Sequence, residues 1–149
     1  MNMNLLVTPR LCINCGTCES VCDQVAVDVF TFEDDDVSVS VPIMCMQCED
    51  AACLDVCPAN ALYRDDNSTV LVDSVKCIGC KLCVNACPFG NIEYNYSSKQ
   101  IVKCDLCDGA PDCAKYCPTR AIEYVSATDS NLAKKNALAM KFKDIFELE

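Results

Sequence analysis

Three stretches of the chain alternate apolar and polar residues with a period of two, the signature of half-buried strands. Val27-Asp28-Val29-Phe30-Thr31-Phe32 leads into an acidic turn, Asp34-Asp35-Asp36, and then into Val37-Ser38-Val39-Ser40-Val41, which together predict a β-hairpin. Ala61-Leu62-Tyr63 and Val70-Leu71-Val72, split by Asp65-Asp66-Asn67-Ser68, predict a second. Ile92-Glu93-Tyr94 and Gln100-Ile101-Val102, split by Ser97-Ser98, predict a third. Between the hairpins lie cysteine-rich segments, with short helical turns expected after the third cysteine of each, as in Leu82-Cys83-Val84-Asn85-Ala86. The last twenty residues change character. Asp129 or Ser130 can cap a helix running to about Phe146, with Leu132, Leu138, Ala139, Phe142, Ile145 and Phe146 on one stripe. These elements predict an α+β fold, with one domain over 1–125 and a C-terminal helical extension for docking over 126–149.

Sixteen of the 149 residues are cysteine, whereas histidine and tryptophan are absent. So high a cysteine fraction usually marks a disulfide scaffold in a short secreted chain. The N-terminus, Met1-Asn2-Met3-Asn4-Leu5-Leu6-Val7-Thr8, carries no basic leader, apolar h-region or small-residue cleavage site. No stretch reaches the roughly 18 apolar residues of a membrane span. The expected location is therefore cytoplasmic, where dense cysteine means metal more often than disulfide. A net charge of −10 argues against a nucleic-acid partner, whose phosphates need basic patches. Sixteen metal-bound thiolates would make the loaded protein more negative still, which favours low reduction potentials and basic partner surfaces.

The cysteines form four groups with a period near thirty residues. Group one is Cys12, Cys15, Cys18 and Cys22; group two is Cys45, Cys48, Cys53 and Cys57. Group three is Cys77, Cys80, Cys83 and Cys87; group four is Cys104, Cys107, Cys113 and Cys117. Groups one and three share C-x-x-C-x-x-C-x-x-x-C, while groups two and four widen the gap before the third cysteine. Three cysteines close in sequence wrap one face of a cubane, and the fourth points away to ligate a second cluster. Clusters should therefore come in pairs, each group lending its last cysteine to a partner group. Proline follows that cysteine at Pro58, Pro88 and Pro118, whereas group one has Asp23. Disulfides are disfavoured by the missing export signal and the fourfold spacing. Structural zinc uses two separated C-x-x-C knuckles and has no need of a close third cysteine or a Cys-Pro. A [3Fe–4S] centre would leave one group a cysteine short, and none is. Four [4Fe–4S] clusters are the expected cofactors. Spacing alone leaves open whether group one pairs with two and three with four, or one with four and two with three.

The motifs also resemble a known family. Cys12-Ile13-Asn14-Cys15-Gly16-Thr17-Cys18-Glu19 is similar to the first motif of the four-cluster ferredoxin-like subunits of redox enzymes, in which the proline also tends to be missing. These include iron–sulfur subunits of dimethyl sulfoxide reductases, formate dehydrogenases, hydrogenases and carbon monoxide dehydrogenases. CMQCEDAACLDVCPANAL, CIGCKLCVNACPFG and KCDLCDGAPDCAKYCPTRAI resemble the second, third and fourth motifs, so the likeness runs from Cys12 to Ile122. In size the chain is similar to the small polyferredoxin subunit of tungsten aldehyde oxidoreductases. The resemblance implies two nested bacterial-ferredoxin-like modules, group one pairing with four and group two with three. Its ligand sets are Cys12, Cys15, Cys18 and Cys117; Cys22, Cys104, Cys107 and Cys113; Cys45, Cys48, Cys53 and Cys87; and Cys57, Cys77, Cys80 and Cys83.

The family implies a non-catalytic electron-transfer subunit, wiring the active site of a partner oxidoreductase to a flavin subunit, a ferredoxin or another redox partner. A tungsten or molybdenum aldehyde oxidoreductase is favoured as that partner; formate dehydrogenase, hydrogenase and carbon monoxide dehydrogenase are alternatives. A freely diffusing polyferredoxin is the competing reading, and a metal-stapled structural or sensor protein is disfavoured. The residues agree with a non-catalytic role. There is no histidine, the thiols are committed to iron, and no Gly-rich loop offers a flavin or nicotinamide site. The C-terminal stripe either closes over its own cluster domain, docks on a catalytic subunit, or mediates self-association. Ile13, Val21, Leu54, Val56, Ile78, Val84, Leu106 and Tyr116 are expected to pack on the clusters, giving an apoprotein that folds poorly. Lys76, Lys81, Lys103, Lys115 and Arg120 neighbour groups three and four, whereas Glu49, Asp50 and Asp55 surround group two. Unequal potentials follow, with the group-two cluster expected among the lowest.

Overall fold

The first strand of the chain pairs with the last. In the computed structural model, which describes residues 3–128 together with 132, 135, 136 and 139, β1 (Met3–Val7) runs antiparallel to β8 (Ile122–Ser126), from Met3 opposite Ser126 to Val7 opposite Ile122. Three local hairpins fill the space between: β2 (Val27–Asp34) with β3 (Val37–Met44), β4 (Leu62–Arg64) with β5 (Val70–Val72), and β6 (Ile92–Asn95) with β7 (Gln100–Lys103). All three match the alternation in the sequence. Their turns use local side-chain chemistry. Asp34 faces Val37, leaving Asp35 and Asp36 as a two-residue loop. The Asp65 carboxylate accepts from the amides of Asn67 and Thr69 at 3.0 and 2.7 Å. Asn95 likewise accepts from Ser97 and Ser98 at 2.9 and 3.1 Å.

A short helix carries the third cysteine of each group, beginning one residue before it rather than after it. These are α1 (Thr17–Val21), α2 (Ala52–Asp55), α3 (Leu82–Ala86) and α4 (Asp112–Lys115), and α1 packs on α4 while α2 packs on α3. The apolar interior is correspondingly split. One core gathers Leu5, Val27, Met44, Leu106 and Ile122 with Cys18, Cys104 and Cys113, from both ends of the chain. The other gathers Ala51, Leu62, Val70, Ile92 and Ile101 with Cys83, from its middle. Of the residues expected to lie against the clusters, Leu106 is buried and Leu54 and Val84 pack at a core edge. Ile13, Val56 and Tyr116 are instead exposed, whereas Ile78, though also exposed, borders the cavity shared by Cys57, Cys77, Cys80 and Cys83. The stripe expected to run to about Phe146 falls mostly on 129–131, 133, 134, 137, 138 and 140–149, outside the described residues. Among the described residues no helix is long and apolar enough to cross a membrane.

Candidate functional site

A left-handed residue before the second cysteine bends each cysteine group. Asn14, Gln47, Gly79 and Leu106 all have positive φ, from 47 to 69°. Alternating right- and left-handed residues aim successive amide hydrogens into one concavity, which favours a negatively charged occupant. A second left-handed residue stands three places after each fourth cysteine: Val25, Asn60, Gly90 and Arg120. There the chain folds back so that the N–H of the left-handed residue donates to the cysteine carbonyl, at 3.0, 3.3, 3.3 and 3.4 Å in chain order. The next amide meets the sulfur itself. Ala26 donates to Cys22 at 3.3 Å, Ala61 to Cys57 at 3.3 Å, and Asn91 to Cys87 at 3.4 Å. Group one makes this turn without the proline found at Pro58, Pro88 and Pro118. Its Asp23 therefore does not mark a departure in structure.

All sixteen thiols are free, and twelve of them line three cavities in sets of four. Cys45, Cys48, Cys53 and Cys87 line one cavity. Cys57, Cys77, Cys80 and Cys83 line a second, and Cys12, Cys15, Cys18 and Cys117 a third. The remaining four are mutual neighbours: burial first, then the charges of Cys104, Cys107 and Cys22, push the Cys113 thiol up to about 12. Cys104 rises to about 12 chiefly through burial, with Cys45, packed against the same core, adding to the effect. Burial likewise lifts Cys83 to about 11.

The quartets that reach the surface behave differently. Hydrogen bonding from Thr17 lowers the Cys15 thiol. Burial pulls Cys117 upward, but the amides of Ile122, Thr119 and Ala121 and the Thr119 hydroxyl outweigh it, and the thiol is lowered. Cys57 is lowered in the same way by the amides of Ala61, Leu62, Ala59 and Asn60. Such amides favour the thiolate, the form that binds iron. Cys15 and Cys80 are exposed, one in each half of the molecule.

The donor set suits an iron–sulfur cubane. Four thiolates around one cavity, with amides turned toward the sulfurs of Cys22, Cys57 and Cys87, meet its needs for ligands and hydrogen bonds. Among the described residues no three Cys, Asp or Glu side chains are arranged to hold a single metal ion. Zinc would draw its four sulfurs to about 2.3 Å from one point.

Two positioning residues escaped sequence reading. Arg64, on β4, donates to the carbonyl oxygens of Cys48 (2.6 Å) and Ser68 (3.0 Å) and to that of Glu49, clamping the widened loop of group two. Gln47 is buried, accepting from the Val70 amide at 2.9 Å and donating to the Cys104 carbonyl at 3.0 Å, so it joins groups two and four. Lys103 was legible only as a neighbour of group four, yet its side chain lines the cavity of group two. The acidic Glu49, Asp50 and Asp55 are exposed, while Lys103 is buried. The charged side chain lining that cavity is thus opposite in sign to the acidic ones expected around it. A period-two reading carried one residue further, with Ile101 and Lys103 on the same inward face of β7, would have found it.

Comparison with known proteins agrees with this chemistry. Residues 36–127 match the family of 4Fe-4S dicluster domains, and residues 9–24 match a 4Fe-4S binding domain. Hydrogenase-4 component A of Escherichia coli (strain K12) is 37% identical over 88 residues, covering 55% of this chain and 42% of that protein. The arsenate respiratory reductase iron–sulfur subunit of Shewanella sp. (strain ANA-3) is 32% identical over 94 residues, covering 54% of this chain and 40% of the relative. The thiosulfate reductase electron transfer subunit of Salmonella typhi is 33% identical over 90 residues, covering 51% and 47%. The chain thus spans about half the length of the curated relatives it matches. With thiols of different groups lining shared cavities and the family match extending over most of its length, the chain belongs to the 4Fe-4S dicluster domain family.

Proposed function

We propose that this chain is a non-catalytic electron-transfer subunit that holds four [4Fe–4S] clusters in two nested modules and serves a partner oxidoreductase. One observation carries the reading. Each of three cavities is lined by three cysteines of one group and the fourth cysteine of another: Cys12, Cys15 and Cys18 with Cys117; Cys45, Cys48 and Cys53 with Cys87; Cys77, Cys80 and Cys83 with Cys57. Cys22, Cys104, Cys107 and Cys113 complete the set. The packing of α1 on α4 and of α2 on α3 supports the same nesting.

Bound [4Fe–4S] groups supply one-electron storage at low potential. The protein's part is to space the four, shield the inner ones and present the outer ones. Groups one and four share two quartets and groups two and three share the other two, and Cys45 and Cys104 adjoin where the halves meet. Exposed Cys15 and Cys80 then mark the two ends at which redox partners dock.

Relatives named as components of a hydrogenase and of arsenate and thiosulfate reductases support a place in such a complex. The family resemblance allows a tungsten or molybdenum aldehyde oxidoreductase, a formate dehydrogenase, a hydrogenase or a carbon monoxide dehydrogenase as partner, with a flavin subunit or ferredoxin at the other end, in a cytoplasmic complex. Co-purification with a large catalytic chain is the expected outcome; purification alone at full iron content would favour a diffusing polyferredoxin. The cluster reading itself is tested by anaerobic iron analysis, with about sixteen irons per chain expected. For the nesting, Cys117→Ser should expose Cys12, Cys15 and Cys18 to alkylation. Labelling of Cys77, Cys80 and Cys83 instead would show that group four pairs with group three.

A further inference from the structure

Lys103 is a lysine at a core position. It ends β7 opposite Ile92, on the inward side with Ile101, and only 5% of its surface is exposed. Its Nζ donates to the Val70 carbonyl at 2.7 Å and to the Cys104 carbonyl at 2.9 Å, with the Gln47 side-chain oxygen at 3.5 Å. Three acceptors thus match the three N–H donors of an ammonium group. None of the three carries a charge, and among the described residues no carboxylate forms an ion pair with it. A buried cation is costly unless a negative charge balances it.

The anion is supplied by cysteines. Lys103 lines the same cavity as Cys45, Cys48, Cys53 and Cys87, and it is bonded to the residue that opens group four. The amine therefore stands where the two halves of the molecule meet, beside a quartet from each.

We infer that Lys103 is the buried counter-charge of the cluster held by Cys45, Cys48, Cys53 and Cys87, raising its reduction potential above that which the surrounding acidic residues would set. This rests on the ligand sets proposed above. The reduced cluster carries one more negative charge than the oxidised one, so a fixed cation in a poorly screened site favours reduction. Glu49, Asp50 and Asp55 act from the exposed surface, where solvent and salt screen them. The group-two cluster is then an electron-holding site inside the relay instead of one of its lowest members.

The test is a dithionite titration followed by electron paramagnetic resonance on anaerobically purified wild type, Lys103→Met, Lys103→Arg and Gln47→Glu. Iron content and the cubane signal of the wild type decide the ligand reading separately. Given full iron, Lys103→Met should move one midpoint clearly negative, shift a second less, and leave the other two in place. Repeating it in a Cys53→Ser background, where the altered signal marks the group-two cluster, assigns the moving midpoint. Lys103→Arg should stay near the wild type. Gln47→Glu, which sets a carboxylate against the amine with little change of shape, should give a negative shift of the same kind; it keeps the test available if Lys103→Met does not load iron. Unchanged midpoints in every variant, an equal shift of all four, or the same shift in Lys103→Arg as in Lys103→Met would overturn the inference.

Discussion

The Ala26 amide donates to the Cys22 sulfur across 3.3 Å, and it does so because Val25, a β-branched residue, is held at φ 51°. Group three places Gly90 at the equivalent position, where positive φ carries no steric cost. For a non-glycine residue the left-handed conformation costs about 1–2 kcal/mol, and glycine returns roughly half of that through its freer unfolded chain. Val25 is 72% exposed, so little apolar burial is lost on its removal. Val25→Gly should therefore stabilise the turn by about 0.5 kcal/mol. The measurement is the rate at which the visible charge-transfer absorption fades on heating under anaerobic conditions. A slower loss is expected, and a faster one would show that the valine side chain does more than occupy the turn.

That turn also shows where sequence reading stops. The three hairpins were legible because alternation and turn chemistry are local: Asp65 and Asn95 sit next to the amides they accept from. The β1–β8 pairing was not, since Met3–Val7 lacks alternation and its partner lies at the other end of the chain. The missing proline of group one suggested an exception, yet backbone geometry at Val25 reproduces the turn of Asn60, Gly90 and Arg120. Left-handed conformations at Val25 and Arg120 are imposed by the fold and leave no mark in residue type, whereas Asn60 and Gly90 are types that adopt them readily. The roles of Lys103, Gln47 and Arg64 were hidden for a related reason, because each acts on a group distant in sequence. The ligand sets could be written from resemblance but not from spacing, since the fourth cysteine of each group completes a quartet elsewhere in the chain.

Gly16 directly follows the second cysteine of group one and Gly79 directly precedes that of group three, both left-handed with nearly the same φ, 73° and 69°. Their surroundings differ. A methyl group at Gly16 meets no atom within 4 Å, whereas at Gly79 it comes to 3.3 Å from the Tyr94 ring. Tyr94 is itself held edge-on by Tyr96, with the Lys81 amine 4.4 Å from both ring centres, so it has little room to yield. Gly16→Ala should cost about 1–2 kcal/mol from the backbone alone, and Gly79→Ala more. Iron retention during a chelator challenge would rank them, and equal losses would mean that Tyr94 moves aside freely.

Iron loading should depend on pH, and unequally across the quartets. Cys104 and Cys113 have thiols raised to about 12, and Cys107 is raised as well, all chiefly by burial. In the quartet of Cys12, Cys15, Cys18 and Cys117, by contrast, Cys15 and Cys117 are lowered, though burial raises Cys18. Binding requires thiolate, so each raised thiol must release a proton that is harder to remove, and the penalty grows as pH falls. Reconstitution at progressively lower pH should fail first at Cys104, Cys107 and Cys113 and later at Cys15 and Cys117. Alkylation followed by peptide mass analysis reads this directly, because unliganded cysteines take the label. Labelling of Cys15 and Cys117 ahead of Cys104 and Cys113 would contradict the burial argument.

Arg64 offers the most direct test of how a widened group stays in shape. Group two has two more residues between its second and third cysteines than groups one and three, and the backbone of Cys48 and Glu49 in that stretch is tied to β4 through the Arg64 guanidinium. Hydrogen bonds from a charged donor are each worth about 1.5–3 kcal/mol where water is excluded. Arg64 is half-buried, which puts the loss for Arg64→Met near 2 kcal/mol once its packing is retained. The weakening should be local. Oxygen exposure should strip iron first from the quartet of Cys45, Cys48, Cys53 and Cys87, seen as early alkylation of Cys48 and Cys53, while Cys77, Cys80 and Cys83 stay protected. Arg64→Lys should restore only part of this protection, because a single ammonium does not reproduce the planar fork that reaches the carbonyls of Cys48, Glu49 and Ser68 together.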